Sequence, residues 1–374
     1  MRDANQLTPY EITLGSRLTN EQAIAEIIKR LYQNLESLYP DIDKSKAIIR
    51  GYSLGGLFAH TFRFTLTHNE KSIGIFAKIC PVYESLDPAR VEFDTLETVY
   101  SKMKAATDMY AVSRPLIYFK DMNCYAMESV GVKDLRSVLL KNNTVFAGSQ
   151  AINELNYYMK GSAEWLAMFH EITANGISQK FEMKSFLNSF TDEFNYADLA
   201  QYSFSSNMLN AIDMVFHKLS SSELNVTMPL AGWHWDYTPG HVYLDNNRIS
   251  VIDILGVDNT PVYEDIGHFL ASITSINNLP KYLLFNRRRS ATEFCNVFID
   301  SYFKRTALDN NEFILLTNIY RLKHLVIYFI IQNRQISGKL GTTAGALYSN
   351  TRGVRLFEKP ILHSLSEISR LINV

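Results

Sequence analysis

The sequence predicts an α+β fold in two parts, an antiparallel sheet in the first third and a larger, mainly helical remainder. Two observations predict it. Between residues 46 and 79, apolar and polar residues alternate in short runs separated by turn residues, the period-two signature of strands. After Gly131 the apolar spacing widens to three and four residues and stays helical for most of the chain.

The elements follow in order. Ile24, Ile27, Ile28, Leu31, Leu35 and Leu38 share one face of a helix over 20–38, with Asn20 as the expected N-cap and Pro40-Asp41 as its stop. Strands are expected over 47–52, 60–67 and 73–79. Ser53-Leu54-Gly55-Gly56 forms the first turn and His68-Asn69-Glu70-Lys71 the second. A helix over 88–103 and two more strands, 116–118 and 124–128, complete this part. The boundary belongs near 129–132. Helices are then expected over 150–173, 183–189, 196–221, 262–274, 290–304, 311–334 and 359–372. The exception is 233–257, which reads as a loop with two short strands, Val242–Leu244 and Ile249–Ile252, joined by an Asn246-Asn247 turn.

Composition excludes several classes. The chain has 374 residues, 47% hydrophobic and 20% charged, which is ordinary for a globular core. Lys and Arg total 37 against 38 Asp and Glu, so overall charge cannot coat a nucleic acid. The three cysteines, Cys80, Cys124 and Cys295, are far apart and suggest neither a disulfide framework nor zinc spacing. A reducing, cytoplasmic setting is the expectation. The first residues carry no apolar signal segment. The longest apolar run, Leu325–Ile331, is far shorter than the roughly 20 residues of a spanning helix and reads as a buried helix segment.

Chemistry concentrates in 233–256. Asp236 and Asp253 sit among apolar, strand-like residues, with His234 two positions before the first acid. A hairpin between them would bring both carboxylates to one end of a sheet.

These residues resemble the aminoglycoside phosphotransferase family. That family has a His-x-Asp loop, an Asn five residues on, and a strand ending in Ile-Asp. This chain has His234-Trp235-Asp236, Pro239-Gly240-His241 and Val251-Ile252-Asp253. Pro261–Gly267, with Asp265, resembles the family's next helix start. Leu166–His170 and Phe298–Tyr302 resemble two further family helices. The likeness spans roughly residues 46–305.

What the resemblance implies is a bilobal protein-kinase-like fold. Residues 1–131 would be the nucleotide-binding lobe with an N-terminal helix, and 132–374 the helical lobe with catalytic loop and acceptor cleft. Lys78 would hold the nucleotide phosphates and Glu92 would fix Lys78, with Glu97 as the rival. Gly55 and Gly56 would cover the phosphates, and Met127-Glu128 would meet the adenine. Asp236 would be the base and Asp253 the metal ligand, with His234 and Asp265 bracing the loop. ATP or GTP with Mg2+ or Mn2+ would be the cofactors, and a small hydroxyl compound the acceptor. The short stretch between Asp253 and Asp265 leaves little room for a peptide platform. Trp233, Trp235 and Tyr237 flank the base and could stack on a ring. Arg287-Arg288-Arg289, the only dense basic run, could bind an acceptor phosphate or an anionic surface.

His241 departs from the pattern, because magnesium prefers oxygen donors and imidazole suits manganese or zinc better. It could ligate through nitrogen, leave the ion to Asp253 and water, or mark a pseudokinase that binds nucleotide without turnover. The presence of Asp236, Asp253 and Lys78 favours activity.

Overall fold

The computed structural model describes residues 19–55, 59–81, 87–131, 133–193, 206–221, 225–245, 248–256, 258–277, 291–306, 308–340 and 354–372. Gly56, the Asn246-Asn247 turn and Arg287-Arg288-Arg289 lie outside them. The chain divides into two compact units. One is Met1–Val132 with Ser250–Gly256, and the other is Lys133–Ile249 with Val257–Val374.

The first unit opens with α1 (Asn20–Gln33) and a single turn, α2 (Leu35–Leu38). The cap is Thr19 rather than Asn20, which is the first helical residue. Thr19 Oγ1 accepts from the Gln22 N–H at 3.3 Å, and Gln22 Oε1 accepts from the Thr19 N–H at 2.8 Å. This reciprocal box satisfies two orphan donors, which Asn20 could not do one position later. The strands are β1 (Ile48–Gly55), β2 (His60–His68), β3 (Lys71–Ile79), β4 (Tyr110–Val112), β5 (Pro115–Phe119) and β6 (Cys124–Glu128). Five of them form an antiparallel sheet in the order β1-β2-β3-β6-β5. Ile27, Leu31 and Leu35 share one buried core with Phe62, Phe64, Leu66, Ile75 and Ala77. Each large side chain so buried contributes about 1.5–3 kcal/mol.

Helix α3 (Pro88–Ala106) follows β3 in sequence. Asp87 caps it by accepting from the Arg90 N–H at 3.0 Å, and Pro88 fills the first turn, where its missing N–H costs nothing. Its buried stripe, Phe93, Leu96, Val99 and Met103, has helical spacing. That orientation leaves Glu92 partly buried and Glu97 exposed.

The second unit holds α4 (Leu135–Asn142), α5 (Ser149–Thr173), α6 (Met183–Glu193), α7 (Ser206–Ser221), α8 (Tyr263–Asn277), α9 (Thr292–Arg305), α10 (Asn310–Leu340) and α11 (Val354–Ile372). Its short strands are β7 (Lys133–Asp134), β8 (Ser178–Lys180), β9 (Thr227–Gly232), β10 (Val242–Asp245) and β12 (Asn259–Pro261). Strand β11 (Arg248–Val251) runs into the segment that belongs to the first unit. Neither α4 nor β8, β9 and β12 is legible from spacing.

Helix α10 contains the Leu325–Ile331 run. Its residues Asn310–Gln332 are long and apolar enough to cross a membrane by length and composition, yet most of them are buried in the protein. Arg321, Lys323 and His324, on the same helix, are buried too. Helix α8 approaches α10 closely at Gly267. A Cβ there would lie 2.6 Å from the Tyr320 carbonyl carbon and 2.8 Å from the Arg321 nitrogen. Backbone cannot move aside as a side-chain tip can, so Gly267→Ala is expected to cost at least the 1–3 kcal/mol typical of overpacking. A thermal melt reads the loss.

Candidate active site

In the first unit, Lys78, Glu92 and Asp253 come together. Lys78 lies on β3 opposite Thr61 of β2 and Tyr125 of β6. Its Nζ donates to Glu92 Oε2 at 2.7 Å and stands 3.7 Å from Asp253 Oδ1. Tyr125 Oη donates to the same Glu92 oxygen at 2.8 Å, so two donors fix that carboxylate. Burial works against the charged lysine. The Asp253 and Glu92 carboxylates outweigh it and hold the Lys78 pKa above its ordinary value, so the ammonium stays charged.

Asp253 has φ 58°, a left-handed backbone that an aspartate rarely adopts. Non-glycine residues held this way cluster at functional sites. Gly55, at φ 74°, has nothing within 4 Å of where a Cβ would stand. Conformation alone, not crowding, asks for glycine there. Met127 is buried. The Glu128 N–H donates to the Arg114 carbonyl at 2.9 Å, and its carboxylate accepts from Arg114 Nη1 at 2.9 Å. Both groups are therefore engaged inside the unit.

In the second unit, three stretches spread over the sequence converge. His170 near the end of α5, Asp265 at the start of α8 and Tyr302 on α9 form one buried cluster. His170 Nε2 is 3.3 Å from Asp265 Oδ2, and its Nδ1 is 2.7 Å from Tyr302 Oη. A carboxylate only accepts, so Nε2 carries the proton and Nδ1 takes the tyrosine hydroxyl. Asp265 Oδ2 also accepts from the backbone N–H of His234 at 3.0 Å, tying the 233–241 loop to α8. The His234 ring is fully buried against Trp165, Phe169 and Tyr237, a bracing position.

The loop has a second tether. His241 Nδ1 lies 2.8 Å from the Asp236 carbonyl oxygen, and since a carbonyl only accepts, Nδ1 donates there. A third runs from the Arg136 N–H to the Pro239 carbonyl at 3.0 Å. Trp235 sits at φ 74°, turning the chain so that the half-exposed Asp236 carboxylate reaches a cavity.

Asp236 Oδ1 is 3.8 Å from His268 Nε2, and that nitrogen is 2.9 Å from Tyr328 Oη. Burial, then the nearby His324, pushes the His268 pKa well below its usual value, so this ring is neutral at physiological pH. His268, Tyr328, Arg136 and Gln332 escaped sequence reasoning, since each is one polar residue on an otherwise ordinary helix. Of the three aromatics near the base, Tyr237 is core. It stacks on Trp165 and Phe269 and donates to the Ser162 carbonyl at 2.7 Å. Trp233 and Trp235 are partly buried and stack on each other at 4.2 Å.

His241→Asn should keep the tether to the Asp236 carbonyl, because an amide also donates. His241→Leu removes it. Steady-state rates are expected to stay within about tenfold for the first and to fall on the order of 10²-fold for the second, the scale of a misplaced reacting group.

No family model matches the sequence, and no curated protein is similar to it in sequence. Solved structures do match. A choline kinase from Cryptosporidium parvum Iowa II superposes with TM-score 0.51 at 12% identity, over 93% of this chain and 96% of that one. A glucosamine kinase solved with glucosamine, ADP and inorganic phosphate gives TM-score 0.52 at 13% identity, over 90% and 81%. Amicoumacin kinase hAmiN, solved with AMP-PNP, Ca2+ and Ami, gives 0.51 at 12%, over 91% and 96%. The likeness defines the fold. This chain has the protein-kinase-like fold shared with small-molecule kinases, an N-terminal antiparallel sheet followed by a mainly helical part.

Proposed function

We propose that the chain is a small-molecule kinase that transfers the γ-phosphoryl group of ATP or GTP to a hydroxyl. The observation that carries this reading is the first-unit triad, in which a charged, mostly buried Lys78 is held by Glu92 and faces Asp253. A purely structural lysine has no need of two carboxylates and a left-handed aspartate beside it. Lys78 would hold the nucleotide phosphates, with Gly55 and Gly56 over them and the Met127-Glu128 stretch at the base.

The Asp253 carboxylate offers oxygen, which suits Mg2+ or Mn2+. When bound, such an ion neutralises phosphate charge. Asp236 would accept or orient the hydroxyl proton, on a loop that His234, Asp265 and His241 hold in place. With Nδ1 occupied by the Asp236 carbonyl, His241 acts first as a brace, and this supports an active enzyme over a degraded one.

The test is nucleotide turnover by the purified chain with a panel of hydroxyl compounds and either Mg2+ or Mn2+. Lys78→Met is expected to lower kcat/KM at least 10²-fold, measured well below the variant's melting temperature, because the change also leaves the buried Glu92 carboxylate without its nearest counter-charge. A nucleotide-induced melting shift with no turnover under either metal would instead identify a pseudokinase-type binding module.

A further inference from the structure

The wall beside Asp236 describes the acceptor. Within the second unit a cavity of about 450 Å³ opens at Asp236, toward the lower end of the roughly 300–1,000 Å³ of small-molecule sites. Among the described residues, Asp236 is the only acidic one lining it, and Arg136 the only Lys or Arg. Ser272, Ser275, Tyr328 and Gln332 add neutral hydroxyl and amide groups.

Two of these residues have capacity to spare. Arg136 is exposed near the start of α4 and forms no ion pair among the described residues. Its stem passes 4.0 Å from where a Gly240 Cβ would stand, which places it against the loop. Gln332 is 8% exposed, and its Nε2 is buried without a hydrogen-bond partner. Leaving a buried amide donor unpaired is costly, so its presence in a cavity wall points to an oxygen on a ligand. Among the described residues, an ammonium-bearing acceptor would find no carboxylate here except the base itself, and it would meet a guanidinium.

We propose that the acceptor is a small anionic polyol, a hydroxyl compound carrying a carboxylate or phosphate, with Arg136 holding the anion and Gln332 donating to an acceptor oxygen. This rests on the kinase reading above. The hydroxyl oxygen forms a new bond to the γ-phosphorus, and the bond to the bridging oxygen of the β-phosphate breaks. The proton passes to Asp236 and the nucleoside diphosphate leaves.

The test uses the full chain, ATP and Mg2+ or Mn2+, with D-gluconate, D-ribose 5-phosphate, D-glucose, D-glucosamine and choline as probes. Turnover and calorimetric binding are measured separately. At least one of the two anionic probes is expected to exceed D-glucosamine and choline by tenfold or more in kcat/KM. Which of the two wins separates a carboxylate from a phosphate ligand. Arg136→Gln should raise KM for that probe at least tenfold, with a smaller effect on kcat. The exposed position also tolerates Arg136→Glu, which should shift preference toward the ammonium probes. If nothing turns over, the kinase reading fails while binding still decides the ligand class. Arg136-dependent binding of an anionic probe supports the proposal, and its absence overturns it. Preference for choline or D-glucosamine, or a preference untouched by Arg136→Glu, overturns it as well.

Discussion

Replacing Asp236 by Asn is expected to lower kcat for phosphoryl transfer by about 10²–10⁴-fold, the usual worth of a general base. Nucleotide affinity and melting temperature should stay close to those of the unaltered chain. The side chain is 49% exposed, so its charge does little for the fold. The loop is held by other groups. The His234 N–H on Asp265, the Asp236 carbonyl on His241 and the Pro239 carbonyl on Arg136 all survive the change. Initial-rate kinetics beside a nucleotide titration separate the two effects. Full activity in this variant would remove Asp236 from the chemistry.

The second large effect lies away from the base. Glu264 on α8 accepts from Lys323 Nζ at 2.8 Å and from His324 Nε2 at 2.9 Å, both on α10. All three side chains are buried. Glu264→Gln would remove the carboxylate that faces the buried Lys323 ammonium. Breaking a buried pair from one side costs about 3–5 kcal/mol. For a unit of this size that is a melting decrease of roughly 6–20 °C. Replacing both partners, Glu264→Leu with Lys323→Met, should recover much of the loss, because no buried charge is then orphaned.

The same pair predicts a pH dependence. Desolvation tends to raise the Glu264 pKa, but the His324 hydrogen bond and the Lys323 charge outweigh it and lower it below the ordinary 4.5. A carboxylate with a depressed folded pKa adds stability above its unfolded pKa. That stability is lost as pH falls through the folded value. Melting temperature should therefore drop as pH falls below about 4.5, and this component should vanish in Glu264→Gln.

The comparison of sequence with structure divides along the range of the interactions. The β1–β3 strands and Lys78 were legible because alternation is local and the lysine ends a strand-like run. Glu92 needed its helix face as well, since only the buried stripe Phe93, Leu96, Val99 and Met103 decides between it and Glu97. Thr19 was missed because capping depends on one hydroxyl reaching three residues ahead, and Asn20 is an equally good cap by type. Helix α4 was missed because eight residues carry little periodicity. The Glu264–Lys323–His324 cluster joins residues about sixty positions apart, and no local spacing pairs α8 with α10. The Asp236 cavity was hidden for the same reason. Its wall is assembled from α4, the 236–241 loop, α8 and α10, and each contributes one to three polar residues with no pattern of their own.

The assignment of Ser250–Gly256 to the first unit has a practical consequence for dissecting the molecule. The chain passes between the units three times. A gene fragment ending at Val132 would encode the sheet, Lys78 and Glu92 but omit the aspartate that faces them. Restoring the complete first unit would require supplying the heptapeptide Ser250–Gly256 in trans or grafting it onto the fragment. Conversely, any chimera that exchanges only the C-terminal portion with another protein of this fold also exchanges Asp253. Swaps at a single junction therefore separate Asp253 from the Lys78–Glu92 pair it faces.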